Sequence, residues 1–194
     1  MNPLEKLGKY RFILASKSPR RQQLLAELGL DFKIEVMDVD ESFPEDMPVE
    51  EVPVFLAGKK ADAFSGVLAD NQIVITADTI VSQGNNVLNK PENASRAREM
   101  LQLLSGKKHD VITGVCLSSK SKRVVFSART SVWFKELSEE EISFYIENYK
   151  PFDKAGAYGI QEWIGYIGIY RIDGSYFNVM GLPVQQLYSQ LLKF

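Results

Sequence analysis

At 194 residues and 45% hydrophobic, the chain is long enough to bury a stable core without staples, and its 25% charged content is that of an ordinary soluble domain. A formal net charge of −2 excludes a broad basic face for nucleic acid or an anionic membrane, so any anion site must be a local cluster. The single cysteine, Cys116, excludes an intrachain disulfide or a cysteine-cluster metal centre, and the single histidine, His109, excludes a multi-imidazole site. A metal enzyme built from this chain would use carboxylates, and hence a hard ion such as Mg²⁺ or Mn²⁺.

Residues 1–10 are polar, and the run Phe12-Ile13-Leu14-Ala15 is too short for a signal peptide or a span, which makes the cytoplasm the default compartment. Residues 10–15 read as a strand. Ser18 as N-cap and Pro19 at the first helical position predict a helix over 19–28, ended by Gly29, with Leu24, Leu25 and Leu28 as its apolar stripe. Residues 31–37 alternate Phe32, Ile34 and Val36 with polar neighbours, the pattern of a half-buried strand. Residues 38–51 carry seven acids and no base, with Pro44 and Pro48, and read as an exposed loop. A helix is expected over 50–66, with Pro53 tolerated in its first turn.

A strand over 72–76 is expected to stop at Ala77-Asp78-Thr79, followed by a hairpin of 80–83 and 87–88 around Gly84-Asn85-Asn86. Asn93 caps a helix ending at Gly106. Residues 110–118 and 123–134 read as two long strands. Ser138-Glu139-Glu140-Glu141 is a capping-box pattern opening a helix that ends near Tyr149. A glycine-containing loop covers 151–159, a late strand 166–172, and Pro183 opens the C-terminal helix. Helices between some strands and hairpins between others define an α/β class with a mixed twisted sheet and flanking helices.

Four segments carry chemistry. Ser16-Lys17-Ser18-Pro19-Arg20-Arg21 places hydroxyls, free N–H groups and two arginines at a helix N-terminus, where cations are disfavoured unless an anion sits among them; a capped helix with two solvated arginines fits equally well. Asp78 follows an apolar strand, where open sheets keep ligand crevices and a carboxylate can bind metal or orient water; an aspartate opening a turn is the plainer alternative. Asp40 and Glu41 offer a second carboxylate, although most acids in such loops are merely solvated. Residues 153–161 combine glycines that admit a close ligand with Gln161, whose amide can read a base edge; the alternative is a surface loop in which Asp153 and Lys154 pair. No Gly-Lys-Ser/Thr completes a P-loop.

Lys60 and Lys90 are solvated side chains or point charges for a polyphosphate. Trp133 and Trp163 suit core packing better than base stacking. Cys116 and His109 lie in a strand-like run and suit buried packing better than a catalytic pair.

In order, Leu14-Ala15-Ser16-Lys17-Ser18-Pro19-Arg20-Arg21, Asp40-Glu41, Lys60-Ala61, Ala77-Asp78-Thr79, Lys90-Pro91, Leu104-Ser105-Gly106, Thr113-Gly114-Val115, the 153–161 segment, Gly174-Ser175-Tyr176 and Gly181-Leu182-Pro183 resemble the motifs of the Maf family over residues 12–192. The resemblance implies one Maf-like domain over 1–194, elongated and two-lobed with a central cleft, similar to inosine triphosphate pyrophosphatases. It implies a house-cleaning hydrolysis of nucleoside triphosphates to monophosphate and pyrophosphate, with a divalent cation, in the cytoplasm and often as a homodimer. No nucleic acid or membrane partner is expected.

By motif, Asp78 is the catalytic carboxylate, activating water for in-line attack on the α-phosphorus, with Glu41 and Asp78 as metal ligands. Ser16, Ser18, Arg21, Lys60 and Lys90 hold the triphosphate. Arg20, Thr79 and Gln161 match the branch that prefers dTTP and UTP; the 7-methyl-GTP branch is expected to replace Arg20 by a bulky aromatic. Two positions depart from the family pattern: Glu162 where glycine is frequent, and Lys150 where an acid is usual. A nucleotide-binding regulator of cell division without turnover is the alternative from another class.

Overall fold

The computed structural model describes residues 5–194, so residues 1–4 of the polar N-terminal run lie outside it. After a 3-10 turn (Glu5–Leu7) come β1 (Arg11–Leu14), α1 (Pro19–Glu27), β2 (Phe32–Ile34), α2 (Val52–Asp62), β3 (Gln72–Gln83), β4 (Asn86–Leu88) and α3 (Ala94–Leu104). They are followed by β5 (Lys108–Ser118), β6 (Arg123–Phe134), α4 (Glu139–Tyr149), a 3-10 turn (Ala155–Ala157), α5 (Trp163–Gly168), β7 (Ile169–Asp173), α6 (Tyr176–Met180) and α7 (Val184–Leu191).

The strands form a seven-stranded sheet in the order β2-β1-β3-β5-β6-β7, with β4 paired to β3. β1 runs parallel to both neighbours, with Phe12 opposite Phe32 and Leu14 opposite Ile75. β4 is antiparallel to β3, and β7 is antiparallel to β6. The sheet is therefore mixed, with flanking helices, as the element pattern implies.

The chain divides into two compact units. The first comprises Met1–Asp78, Thr113–Ala128 and Gly181–Phe194; the second comprises Thr79–Ile112 and Arg129–Met180. In the first unit Ile13, Ala15, Phe64 and Val74 form a buried cluster, and Ala57 and Ala61 of α2 pack on Cys116 of β5. The helix comes this close because Gly114 has no side chain: a Cβ there would lie 2.3 Å from the Pro53 carbonyl. Buried Thr76 donates to Ala57 O at 2.6 Å, so its hydroxyl is satisfied without water.

In the second unit His109, Phe134 and Tyr158 pack edge to face, with centroids 5.0 to 5.3 Å apart. His109 Nε2 bonds the Tyr158 hydroxyl at 2.7 Å, and burial draws the imidazole down to about 4. Ser138 and Glu141 form the expected capping box of α4, worth about 1 kcal/mol.

Several boundaries differ from the sequence reading. β3 does not stop at Thr76 but runs on to Gln83, carrying Ala77, Asp78 and Thr79 inside the strand. The half-buried strand expected over 31–37 is only Phe32–Ile34, with Ile34 and Val36 exposed, because β2 is at the sheet edge. The helix expected over 50–66 is shorter, Val52–Asp62. Residues 166–168 belong to α5 rather than to the late strand, and α6 was not foreseen. Lys150, one of the two departures, is the left-handed C-cap of α4, with φ 45°.

Candidate active site

The site starts from the interruption in β3. Its residues are buried from Ile73 to Ala77 and again from Ile80 to Ser82; Asp78 and Thr79 between them are half-buried. An aspartate in mid-strand needs a partner, because an unpaired carboxylate there would be stripped of water. Lys60, near the C-terminal end of α2, supplies it: Nζ donates to Asp78 Oδ1 at 2.5 Å and lies 2.9 Å from Glu41 Oε1. The Lys60 and Asp78 side chains are only 17% and 14% exposed, whereas Glu41 is 54% exposed. Two carboxylates thus converge on one cationic point at the middle of the strand.

The acidic loop is clasped beside it. Lys59 Nζ bonds Asp40 Oδ2 at 3.0 Å and Ser42 O at 3.2 Å, and the Ser42 hydroxyl donates to Asp40 at 2.5 Å. The Ser42 hydroxyl and then Lys59 hold the Asp40 carboxyl down to about 2. The Asp40–Lys59 clasp was not legible in the sequence. Its only signal is the adjacency of two acids in the loop and two lysines on the helix.

The Ser-Pro-Arg-Arg corner belongs to the same unit. Ser18 caps α1, accepting from Arg21 N at 3.5 Å, and Ser18 N donates to buried Ser16 Oγ at 3.2 Å. Gln22 Nε2 reaches back to Ser16 O at 3.2 Å, closing the turn. Both hydroxyls therefore accept within the turn and keep an O–H to donate. Arg21 Nε donates to Gly181 O at 2.8 Å, which fixes the guanidinium plane. Burial holds Arg21 below its ordinary value, Asp78 and Glu41 offset this only in part, and Arg20 adds to the lowering. Arg21 is thus within the electrostatic reach of both carboxylates.

The second unit holds Thr79, Lys90 and Gln161. Thr79 directly follows Asp78 along β3, and Lys90 is exposed after β4. Gln161 lies in the turn before α5, and its Oε1 is buried with no hydrogen-bond partner. Asp153 and Lys154 do pair, at 2.7 Å, with Asp153 exposed but Lys154 buried and also 3.1 Å from Glu162 Oε1. Trp163 packs on Phe144 at 4.7 Å, and Trp133 has Lys108 and Arg171 over its ring. Cys116 is buried, which pushes its thiol up.

Among the described residues no group of three or more histidines, cysteines or acids could hold a metal ion. The carboxylates of Glu41 and Asp78, which share the Lys60 ammonium, are a pair of oxygen donors. That pair suits a hard divalent ion whose remaining positions are filled by water and phosphate oxygens. Its convergence on the Lys60 ammonium shows that both carboxylates can face one cation.

In this mixed α/β protein a carboxylate pair on Lys60 and the arginine-bearing N-terminus of α1 belong to one unit, an arrangement chemically suited to an anionic, phosphate-bearing ligand. The chain belongs to the Maf family: the model of the Maf-like protein matches residues 11–194. A protein of Parabacteroides distasonis named dTTP/UTP pyrophosphatase is 52% identical, over 98% of this chain and 100% of its own length. Relatives of the same name from Phocaeicola vulgatus and Flavobacterium johnsoniae are 53% and 50% identical, covering 98% and 96% of this chain and 99% and 96% of their own. The solved Staphylococcus aureus Ham1 protein aligns with 64% of this chain and 71% of its own at 15% identity and a TM-score of 0.48, too distant to carry an argument about the fold.

Proposed function

We propose that this chain is a nucleoside triphosphate pyrophosphatase acting on dTTP and UTP, with Asp78 as its catalytic carboxylate. Near-full-length relatives at about half identity carry that activity in their names. The observation that carries the residue assignment is the convergence of Asp78, Glu41 and Lys60 at the half-buried stretch in the middle of β3.

In this reading, water attacks the α-phosphorus in line, the α–β bridging oxygen leaves with pyrophosphate, and the nucleoside monophosphate keeps the new P–O bond. Asp78 accepts the water proton and orients the attacking lone pair. Lys60 keeps Asp78 and Glu41 together and presents its charge to the polyphosphate. Ser16, Ser18 and the first N–H groups of α1 cradle phosphate oxygens, with Arg21 and Lys90 as further cations. Glu41 and Asp78 would hold Mg²⁺ or Mn²⁺, which supplies neutralisation of charge on the polyphosphate when bound.

Arg20, Thr79 and Gln161 select the base. The orphaned acceptor Gln161 Oε1 suits the N3–H that uracil and thymine carry and cytosine lacks. The family match runs through both compact units, which supports one domain over 1–194. Among the described residues no helix is long and apolar enough to cross a membrane. A homodimer belongs to the same proposal.

Incubation with UTP or dTTP and Mg²⁺ or Mn²⁺, with pyrophosphate and phosphate read separately, tests the reaction. Equimolar monophosphate and pyrophosphate is the expected result. Release of single phosphate overturns attack at the α-phosphorus, and nucleotide binding with neither product favours a regulator without turnover.

A further inference from the structure

The structure gives Glu162 a specific task at the turn that carries Gln161. The Glu162 amide donates to Gly159 O at 3.0 Å, closing a turn in which Gln161 is the third residue. Both ends of that turn are held by one hydroxyl. Tyr145 Oη accepts from Gly159 N at 3.0 Å and donates to Glu162 Oε2. The other carboxylate oxygen, Oε1, lies 3.1 Å from Lys154 Nζ, which in turn bonds Asp153 at 2.7 Å.

Gly159 makes the arrangement possible. A Cβ there would lie 2.9 Å from Glu162 Cδ, 3.0 Å from Glu162 Oε2 and 3.1 Å from Gln161 Nε2, so the carboxylate and the Gln161 amide both lie over the bare glycine. Glu162 occupies the N-cap of α5, yet its side chain makes no cap hydrogen bond and turns to Tyr145 and Lys154 instead. Tyr145 is wholly buried and Lys154 nearly so. Burial and then the Glu162 hydrogen bond push the Tyr145 phenol well above its ordinary value, so it remains a donor. An ionic cluster built on a buried lysine adds little stability over apolar packing, and its best-attested use is to fix one geometry.

We propose that Tyr145, Glu162 and Lys154 are positioning residues for base selection: they clamp the 159–162 turn so that Gln161 presents its amide in one orientation. The inference rests on the reading of Gln161 as a base-selecting residue. Tyr145→Phe removes the hydroxyl and keeps the ring that stacks on Tyr149 at 5.1 Å. Glu162→Gln removes the charge and keeps the shape.

Steady-state kinetics with UTP and GTP in Mn²⁺, alongside thermal unfolding, test the clamp. Each variant is expected to lose about tenfold in the UTP-over-GTP ratio of kcat/KM, through a higher KM for UTP. The double variant should lose little more, because both substitutions open the same clamp. A purely structural role would lower the melting temperature and the active fraction for both nucleotides alike, leaving the ratio intact; that result overturns the proposal. Gln161→Ala separates the two readings. If it flattens the ratio while Tyr145→Phe and Glu162→Gln do not, the clamp falls and base selection by Gln161 stands. If Gln161→Ala leaves the ratio unchanged, the base-selection reading itself falls, and the clamp with it. Should Tyr145→Phe fail to fold, Glu162→Gln alone decides between these outcomes.

Discussion

Lys60 Nζ donates to Asp78 Oδ1 at 2.5 Å, joining α2 to the one half-buried stretch in the middle of β3. The contact explains why an aspartate can stand inside a strand that is buried on either side of it. In the proposed reaction the same contact would bring the cation that faces the polyphosphate to the carboxylate that takes the water proton. Lys60→Met should therefore cost more activity than stability. A loss of about 10²–10³ in kcat for dTTP is expected, as when one charge-stabilising donor is removed, with the fold retained by circular dichroism. Activity within a few-fold of wild type would make the pair merely structural.

Base preference should separate from turnover. Arg20→Ala and Gln161→Ala should each flatten the ratio of kcat/KM between UTP and a purine triphosphate, with the pyrophosphate product unchanged. A missing partner for a buried polar group in a recognition site costs about 1–3 kcal/mol, or roughly ten- to a hundredfold in that ratio. Equal discrimination before and after removes the residue from the pocket.

The pH dependence of stability should carry the mark of His109. Its folded value is about 4 against 6.5 for the ordinary imidazole, because burial disfavours the charged ring. Between those values the unfolded chain binds a proton that the folded one refuses, so this contribution is whole above pH 6.5 and falls as the pH drops toward 4. The loss amounts to about 3 kcal/mol once both values are passed. Urea titrations between pH 7 and 4 should show a shallower decline for His109→Gln than for wild type, and parallel curves would contradict the assignment.

Gly114→Ala tests the packing that positions α2, and with it Lys60. The new methyl would meet the Pro53 carbonyl at 2.3 Å and Val54 N at 2.4 Å, so helix or strand must shift. A loss of about 1–3 kcal/mol in unfolding free energy is expected, together with reduced activity. An unchanged urea midpoint would show that α2 relaxes freely.

Much of this was legible in the residues. Ser18-Pro19 and Ser138 to Glu141 gave their helix starts because a cap is local chemistry, complete within four residues. Thr76-Ala77-Asp78-Thr79 misled because an aspartate after an apolar run reads as a turn. Its side-chain partner inside the strand is Lys60, 18 residues earlier on another element. Phe32, Ile34 and Val36 misled in the opposite sense: their alternation suggests a buried face, but the edge position of β2 leaves Ile34 and Val36 exposed. Asp78, Glu41 and Lys60 stood out by motif. That both carboxylates share one ammonium is a tertiary fact with no local trace, as is the hydroxyl of Tyr145 holding a turn 14 residues away.

The most direct test of the account is turnover of dTTP by Asp78→Asn in saturating Mg²⁺ or Mn²⁺, with pyrophosphate as the readout. Loss of the group that takes the water proton should lower kcat by about 10²–10⁴ while the protein stays folded. Near-normal release of pyrophosphate by the variant would contradict the central role given to Asp78.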